Sequence, residues 1–326
     1  ISIQPEDFSL YKPGIWRFRR ISNRDIALMF RQLSTLIESG VNVLSSLGIL
    51  SKQTSNKYLR AVLSDIGNKI KDGKSLSEGL NTHSHIFSNL HTSMINSGEI
   101  GGNLELTLKR LADFLEKEEE FKNSIRSALT YPAFVFGVGA ITVIILLGFV
   151  IPRLVTMFED MGQVLPLPTK ILINLSRGLR EFWWLLLATI FIIVFLLKRI
   201  IHKPQGRIQL DRLKLKLAIW GEVILKTEIA RLMRTLSLLL SSGIPIVYAL
   251  DISTSTLDNQ ILKLEVEKFK GQISSGLSLS TCLKESKLFP VFVTDIVNVG
   301  EESGTIEKSL LLIAEDYERD VDRSLK

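Results

Sequence analysis

The chain has 326 residues, a net charge of +6, one cysteine and 46% hydrophobic residues. A single cysteine (Cys282) excludes an internal disulfide or thiolate metal cluster and reads as a small core residue, and the length exceeds what one small domain needs. Divided by segment, the charge is +2 over residues 1–20, +1 over 21–126, +4 over 127–211 and −1 over 212–326, so no soluble stretch is basic enough to make nucleic acid an expected partner.

Residues 1–20, with Pro5, Pro13 and Arg17 to Arg20, show no helical period and are expected to form an N-terminal arm. From Asn23, Ile26, Met29, Phe30, Leu33, Leu36 and Ile37 recur at intervals of three and four, which predicts a helix stopping at Gly40. Further helices follow, broken near Ser55, at Gly73 and across Gly98 to Gly102. Residues 21–126 are therefore expected to be the first cytoplasmic helical domain, closing with a helix that begins at Leu104 and runs toward a membrane span.

The span itself, within residues 127–151, contains Ala133–Ile151, nineteen residues without an ionisable side chain. At about 1.5 Å per residue this nearly matches a hydrocarbon core of roughly 30 Å. A second span is expected over 182–201, opening with the apolar run Phe182–Leu197, and the expected interface anchors are Trp183 and Trp184 at its start and Tyr131 at the start of the first span. Ten basic residues flank the outer ends of this hairpin against four in the loop 152–181. Both large flanks are thus expected in the cytoplasm and the loop, with a short helix opening at Thr169, on the periplasmic side.

After the membrane the script restarts, and residues 202–326 form a second helical domain that repeats the first. Arg31-Gln-Leu-Ser34 returns at a shift of 203 as Arg234-Thr-Leu-Ser237, Ser39-Gly40-Val41 as Ser242-Gly243-Ile244, and Gly73-Lys-Ser-Leu-Ser77 as Gly276-Leu-Ser-Leu-Ser280. At a shift of 202, Phe87 meets Phe289, Gly98-Glu99 meets Gly300-Glu301, and Gly102 meets Gly304. The same shift carries the start of the first span to about position 335, so a third span is expected beyond residue 326.

These repeated motifs, placed around a hairpin that carries Tyr131-Pro132 and Leu165-Pro-Leu-Pro-Thr169, resemble the PilC/GspF family of inner-membrane platform proteins of type IV pilus and type II secretion systems. The resemblance implies an all-α membrane protein of the bacterial inner membrane, with two homologous cytoplasmic bundles of about six helices each and three spans. It implies a homo-oligomer, and as partners a cytoplasmic hexameric assembly ATPase, pilin or pseudopilin subunits, other inner-membrane assembly proteins and the lipid bilayer.

Four constellations invite a chemical reading. Gly98, Glu99 and Gly102, with Gly300, Glu301 and Gly304, sit at the same place in both copies. They are expected to make a tight interhelix turn, or to present Glu99 and Glu301 to a partner, a neighbouring copy or a hard cation. Asn103 and Thr305 are expected N-caps. Gly67 to Ser75 imitates a phosphate-binding loop, but five residues stand between its glycines and the second copy has Leu277 where the lysine would be. His83, His85 and His91 have no counterparts in the second copy and are expected to face solvent.

Acidic residues gather where each copy approaches the membrane: Glu116, Glu119 and Glu120, and again Glu315 and Glu318. Their default is a solvated helix face, and they are also the favoured docking face for a basic partner. No nucleophile with a base and no cofactor loop is recognisable, so the chain reads as a non-enzymatic scaffold without a cofactor that couples the ATPase to pilin extraction. The competing reading is a transporter or permease subunit with duplicated cytoplasmic domains.

Overall fold

Ser22 starts the first helix because its hydroxyl accepts the Asp25 amide at 3.1 Å while the Asp25 carboxylate accepts the Ser22 amide at 3.0 Å. This reciprocal cap satisfies two of the amides that a helix start leaves without partners. Asn42, Asn56 and Ser75 cap the next three helices with their side chains. A computed structural model describes residues 21–151, 204–217 and 220–325, together with isolated positions between 153 and 199. The arm 1–20, Thr169 with the expected loop helix, Trp183 and most of the second span lie outside the described residues.

The elements are α1 (Asn23–Glu38), α2 (Val43–Gln53), α3 (Lys57–Lys71), α4 (Leu76–Asn81), α5 (Asn89–Ile100) and α6 (Leu104–Ile145), the last continuing as a π-turn over Leu146–Val150. Then come α7 (Pro204–Lys216), α8 (Trp220–Ser241), α9 (Ile246–Thr256), α10 (Gln260–Ser274), α11 (Leu279–Glu285), α12 (Val291–Ser303) and α13 (Ile306–Leu325). No strand occurs among the described residues, and the chain is all-α. The element boundaries carry the repeat: α2 and α3 recur as α9 and α10 at a shift of 203, and α6 begins 202 residues before α13.

The chain divides into two compact units. One holds residues 21–122 with Ile229–Leu257 and Glu265–Asp316; the other holds the described part of residues 123–228 with Asp258–Leu264 and the end of α13. In the first unit each copy packs its helices around one phenylalanine, Phe87 or Phe289, both buried. Phe87 meets Phe30 of α1 at 6.1 Å between ring centres, and Phe289 meets Phe269 of α10 at 5.6 Å. At the positions equivalent to Phe30 and Phe269 the opposite copy has Met233 and Ile66, also buried. One ring and one aliphatic chain have exchanged helices between the copies, which conserves volume where a tightly packed core requires it. Cys282 is buried in the second core, where burial pushes its thiol pKa up.

In the second unit two buried carboxylates cap α10. Asp211 of α7 accepts the Gln260 amide at 3.0 Å, and Glu228 of α8 accepts the amides of Asp258 and Asn259 at 2.9 and 3.3 Å.

One histidine corrects the sequence reading. His85 is exposed and bonds the Tyr58 hydroxyl at 2.7 Å, and half-buried His83 bonds Asp65 at 2.8 Å. His91, expected at the surface, is buried with its ring edge-on to Phe30 and Phe87. Its Nδ1 accepts the Ser88 amide at 3.2 Å, which suits a neutral ring. Burial lowers its pKa from 6.5 to about 4.

Between those two values the unfolded chain binds a proton that the native state refuses, so stability falls as the pH drops through 6.5 and the loss levels off below 4. The full loss is roughly 3 kcal/mol. The second copy has buried Val293 at this place, and His91→Val is expected to flatten the acid limb of a stability-versus-pH profile measured by denaturant unfolding.

Candidate functional site

The Gly-Glu-x-x-Gly and Gly-x-Ser-Leu-Ser motifs lie in contact. Glu99, near the end of α5, accepts the Leu76 amide on Oε1 at 2.6 Å and the Ser77 amide and hydroxyl on Oε2 at 3.1 and 2.6 Å. Ser75 accepts the Glu78 amide at 3.1 Å, and Glu78 accepts the Ser75 amide at 3.0 Å. All four amides that the start of α4 leaves without helical partners are thereby satisfied by side chains. The second copy repeats the clamp: Glu301 accepts the amides of Leu279 and Ser280 at 2.7 and 3.0 Å, and Ser278 accepts that of Thr281 at 3.2 Å. An anion beside a helix start also meets the favourable end of the helix dipole.

The glycines of the same motif have two different jobs. Gly102 and Gly304 have φ of +66° and +67°, and the amides of Asn103 and Thr305 reach back to the carbonyls of Gly98 and Gly300 at 3.0 and 2.9 Å. That is the left-handed helix end which a residue with a Cβ adopts only with strain. Asn103 and Thr305 immediately precede α6 and α13, and their carbonyls accept the amides of Thr107 and Ser309. Gly98 and Gly300 are buried inside α5 and α12. A Cβ on Gly98 would stand 2.6 Å from Thr107 Oγ1, and one on Gly300 would stand 2.5 Å from Ser309 Oγ. These two glycines let the final helix of each copy lie directly against its neighbour.

The Arg-x-Leu-Ser motif closes the same assembly from the other side. Ser34 Oγ donates to the Glu105 carbonyl at 2.9 Å, and Ser237 Oγ to the Glu307 carbonyl at 2.6 Å. Arg31 grips Glu116 with two hydrogen bonds, at 3.3 and 2.7 Å, and also pairs with Asp113. Both carboxylates raise the Arg31 pKa further, Glu116 most.

Of the other residues expected on an acidic docking face, Glu120 pairs with Lys117 at 2.8 Å, Glu119 and Glu318 are half-buried, and Glu315 is exposed. Groups of three metal-binding side chains do not occur among the described residues. A cleft of about 140 Å³ beside Asp25, Gln32 and Gln53 is smaller than the roughly 300 Å³ at which small-molecule sites begin.

Ser97 and Arg110 drew no attention in the sequence. Ser97 Oγ donates to the Ser242 carbonyl at 2.8 Å and Arg110 donates to the Ser241 carbonyl, so a hydroxyl and a cation of the first copy cap the C-terminal end of α8 in the second. The available signal was their replacement by Val299 and Leu312 in the repeat.

Comparison with known proteins accounts for the repeated motifs. The chain matches the family model described as type II secretion system (T2SS), protein F over residues 29–152 and 232–326, stretches whose starts are 203 residues apart. It is 40% identical to the type IV pilus assembly protein PilC of Thermus thermophilus, over 93% of this chain and 74% of that protein. It is 34% identical to PilC of Pseudomonas aeruginosa, over 100% and 86% of the two chains, and 33% identical to type II secretion system protein F of Vibrio cholerae, over 92% and 74%. With a duplicated helical clamp, a matching family model and relatives of this closeness, the chain belongs to the type II secretion system protein F family, which includes the PilC proteins of type IV pilus assembly.

Proposed function

We propose that this chain is the platform subunit of a type IV pilus or type II secretion machine in the bacterial inner membrane. It is multi-pass, with both helical copies in the cytoplasm, a hairpin of two spans between them and a third span after the second copy. In this reading it is a scaffold without catalytic activity that transmits the motion of an assembly ATPase to a pilin or pseudopilin being lifted out of the bilayer.

The observation that carries the reading is α6. Its first turns supply Leu108, Leu111, Ala112 and Leu115 to the buried core of the first copy. Without a break it continues into a segment whose most apolar stretch has a mean hydropathy of 2.7 and is 6% buried. A helix that is core at one end and exposed apolar surface at the other fits a lever anchored in both media. Pro132 removes one backbone donor within it, a place where such a lever bends. The acidic residues around Glu116, Glu119 and Glu120, and their counterparts Glu315 and Glu318, are the proposed docking face for a basic partner, with Arg31 holding Glu116 in place.

The test is co-purification of the full-length protein from native membranes, with mass spectrometry of what accompanies it. Recovery of an assembly ATPase together with pilin-like subunits is the expected result and identifies the machine. Recovery of a solute-binding or nucleotide-binding transport subunit instead would overturn the platform reading in favour of a permease.

A further inference from the structure

In the second copy the segment ahead of α8 is fastened to the start of α10. Asp211 of α7, 4% exposed, accepts the Gln260 amide at 3.0 Å, and Arg207 donates to the Asp258 carbonyl at 3.4 Å. Asn259 adds its own side chain to the cap, accepting the Ile261 amide at 2.9 Å. Gln260 and Ile261 are half-buried there.

The first copy has the same helix start. α3 begins 203 residues before α10, and the asparagine ahead of it, Asn56, accepts the Tyr58 and Leu59 amides at 3.0 and 3.3 Å. Lys57 and Tyr58, at the places of Gln260 and Ile261, are exposed.

The counterpart of α7 is found in the N-terminal arm. Asp7, Lys12, Ile15 and Trp16 precede Asp211, Lys216, Ile219 and Trp220 by 204 residues, with no gap between the first pair and the last. The shift returns to 203 at Asp25-Ile-Ala, which matches Glu228-Ile-Ala. Order and spacing therefore extend the duplication into the arm. Pro13 and Gly14 fall just past the place of Lys216, the last residue of α7, where a helix stop does not disturb the correspondence.

Position and charge favour the same placement. The arm joins the described chain beside Ser22, and the cleft at Asp25 takes its walls from Leu28 and Met29 of α1, from Thr54 and Ser55 ahead of α3, and from Leu59 within it. The starts of α1 and α3 thus share one cleft, which the chain between Asp7 and Ser22, roughly 50 Å when extended, reaches with length to spare. Leu28 on its wall is 54% exposed. Lys57 and Arg60 stand in the first turn of α3, and with the positive end of the helix dipole they attract a carboxylate.

We infer that the N-terminal arm folds back over this cleft and that Asp7 caps α3 by accepting the Lys57 amide, as Asp211 caps α10. The arm is then a working part of the first helical copy, fastened as α7 is fastened to the second. This inference does not depend on the platform reading.

The test is hydrogen–deuterium exchange, read by mass spectrometry on the full-length protein in detergent, for the wild type, Asp7→Ala, Asp7→Asn and Asp211→Ala. In Asp7→Ala, exchange over residues 54–60 is expected to quicken roughly fivefold while 257–263 stays unchanged, and Asp211→Ala should do the reverse. Asp7→Asn keeps an oxygen that accepts an amide and should stay close to the wild type.

Exchange over 54–60 that ignores Asp7→Ala would overturn the inference. So would an equal acceleration in Asp7→Asn, which would make residue 7 a charge partner of Lys57 or Arg60 and not a cap. Failure of Asp211→Ala to quicken 257–263 would remove the template and overturn it as well. The same four proteins are then measured with phosphatidylglycerol vesicles added. Protection of residues 1–16 only when vesicles are present would place the arm on a lipid surface and overturn its seat on the cleft.

Discussion

Glu99→Ala and Glu301→Ala are each expected to destabilise the protein by about 3 kcal/mol, given hydrogen bonds to a charged group and the desolvation of the amides left behind. Glu99→Ala strips two backbone amides and a hydroxyl at the start of α4 of their shared acceptor. Glu301→Ala strips two amides at the start of α11. Both carboxylate oxygens are used in each case, so Glu99→Gln, which offers one oxygen and turns an N–H toward a donor, should recover only part of the loss.

The measurement is thermal unfolding of the purified full-length protein in detergent, with partner co-purification scored on the same variants. A lower midpoint for both alanine variants is the expected outcome. Unchanged unfolding with lost partner binding would instead make these glutamates docking residues and discard the clamp as their role.

Gly98→Ala and Gly300→Ala are the second pair. Alanine inside a helix ordinarily improves on glycine by about 1 kcal/mol. Here the added methyl meets Thr107 Oγ1 at 2.6 Å or Ser309 Oγ at 2.5 Å, and at Gly300 also the Ile306 Cα at 3.1 Å. The Cβ atoms of Thr107, at 2.8 Å, and Ser309, at 2.7 Å, are fixed by their own backbones, so neither clash is relieved by a change of rotamer, and at Gly300 the Ile306 backbone adds a further contact. The expected losses are roughly 2 kcal/mol at Gly98 and more at Gly300. Gly48 lies inside α2 with nothing within 4 Å of its would-be Cβ, so Gly48→Ala is the control and should be neutral or mildly stabilising in the same unfolding assay. A Gly300→Ala variant as stable as the control would mean that α12 and α13 do not approach as described.

Much of the fold was legible in order along the chain. The apolar period from Ile26 to Ile37, the breaks at Gly40 and Gly73 and the repeat at a shift of 203 locate α1 to α3 and their second set to within a few residues, because helix periodicity and glycine turns are local properties. The motifs were legible as recurrences without a stated purpose. Glu99 stands 22 residues from Ser77 and Ser34 stands 71 from Glu105, and no local rule pairs residues at such separations. His91 shows the same limit, since three nearby histidines carry no mark of which one a later turn places between Phe30 and Phe87.

What the amino-acid sequence determined by itself is the all-helical class, the duplication, the apolar segment after Ala133 and the family, since each rests on periodicity, composition or motif spacing within the chain. Only the tertiary structure decided that the Gly-Glu motif caps the Gly-x-Ser-Leu-Ser helix, that His91 is buried, and that Ser97 and Arg110 of one copy close the end of a helix in the other. The physical reason is that caps, close helix contacts and interfaces depend on which distant backbone groups arrive together, and duplication disguises this further: equivalent residues such as Arg110 and Leu312 share a place in their copies while facing different surroundings.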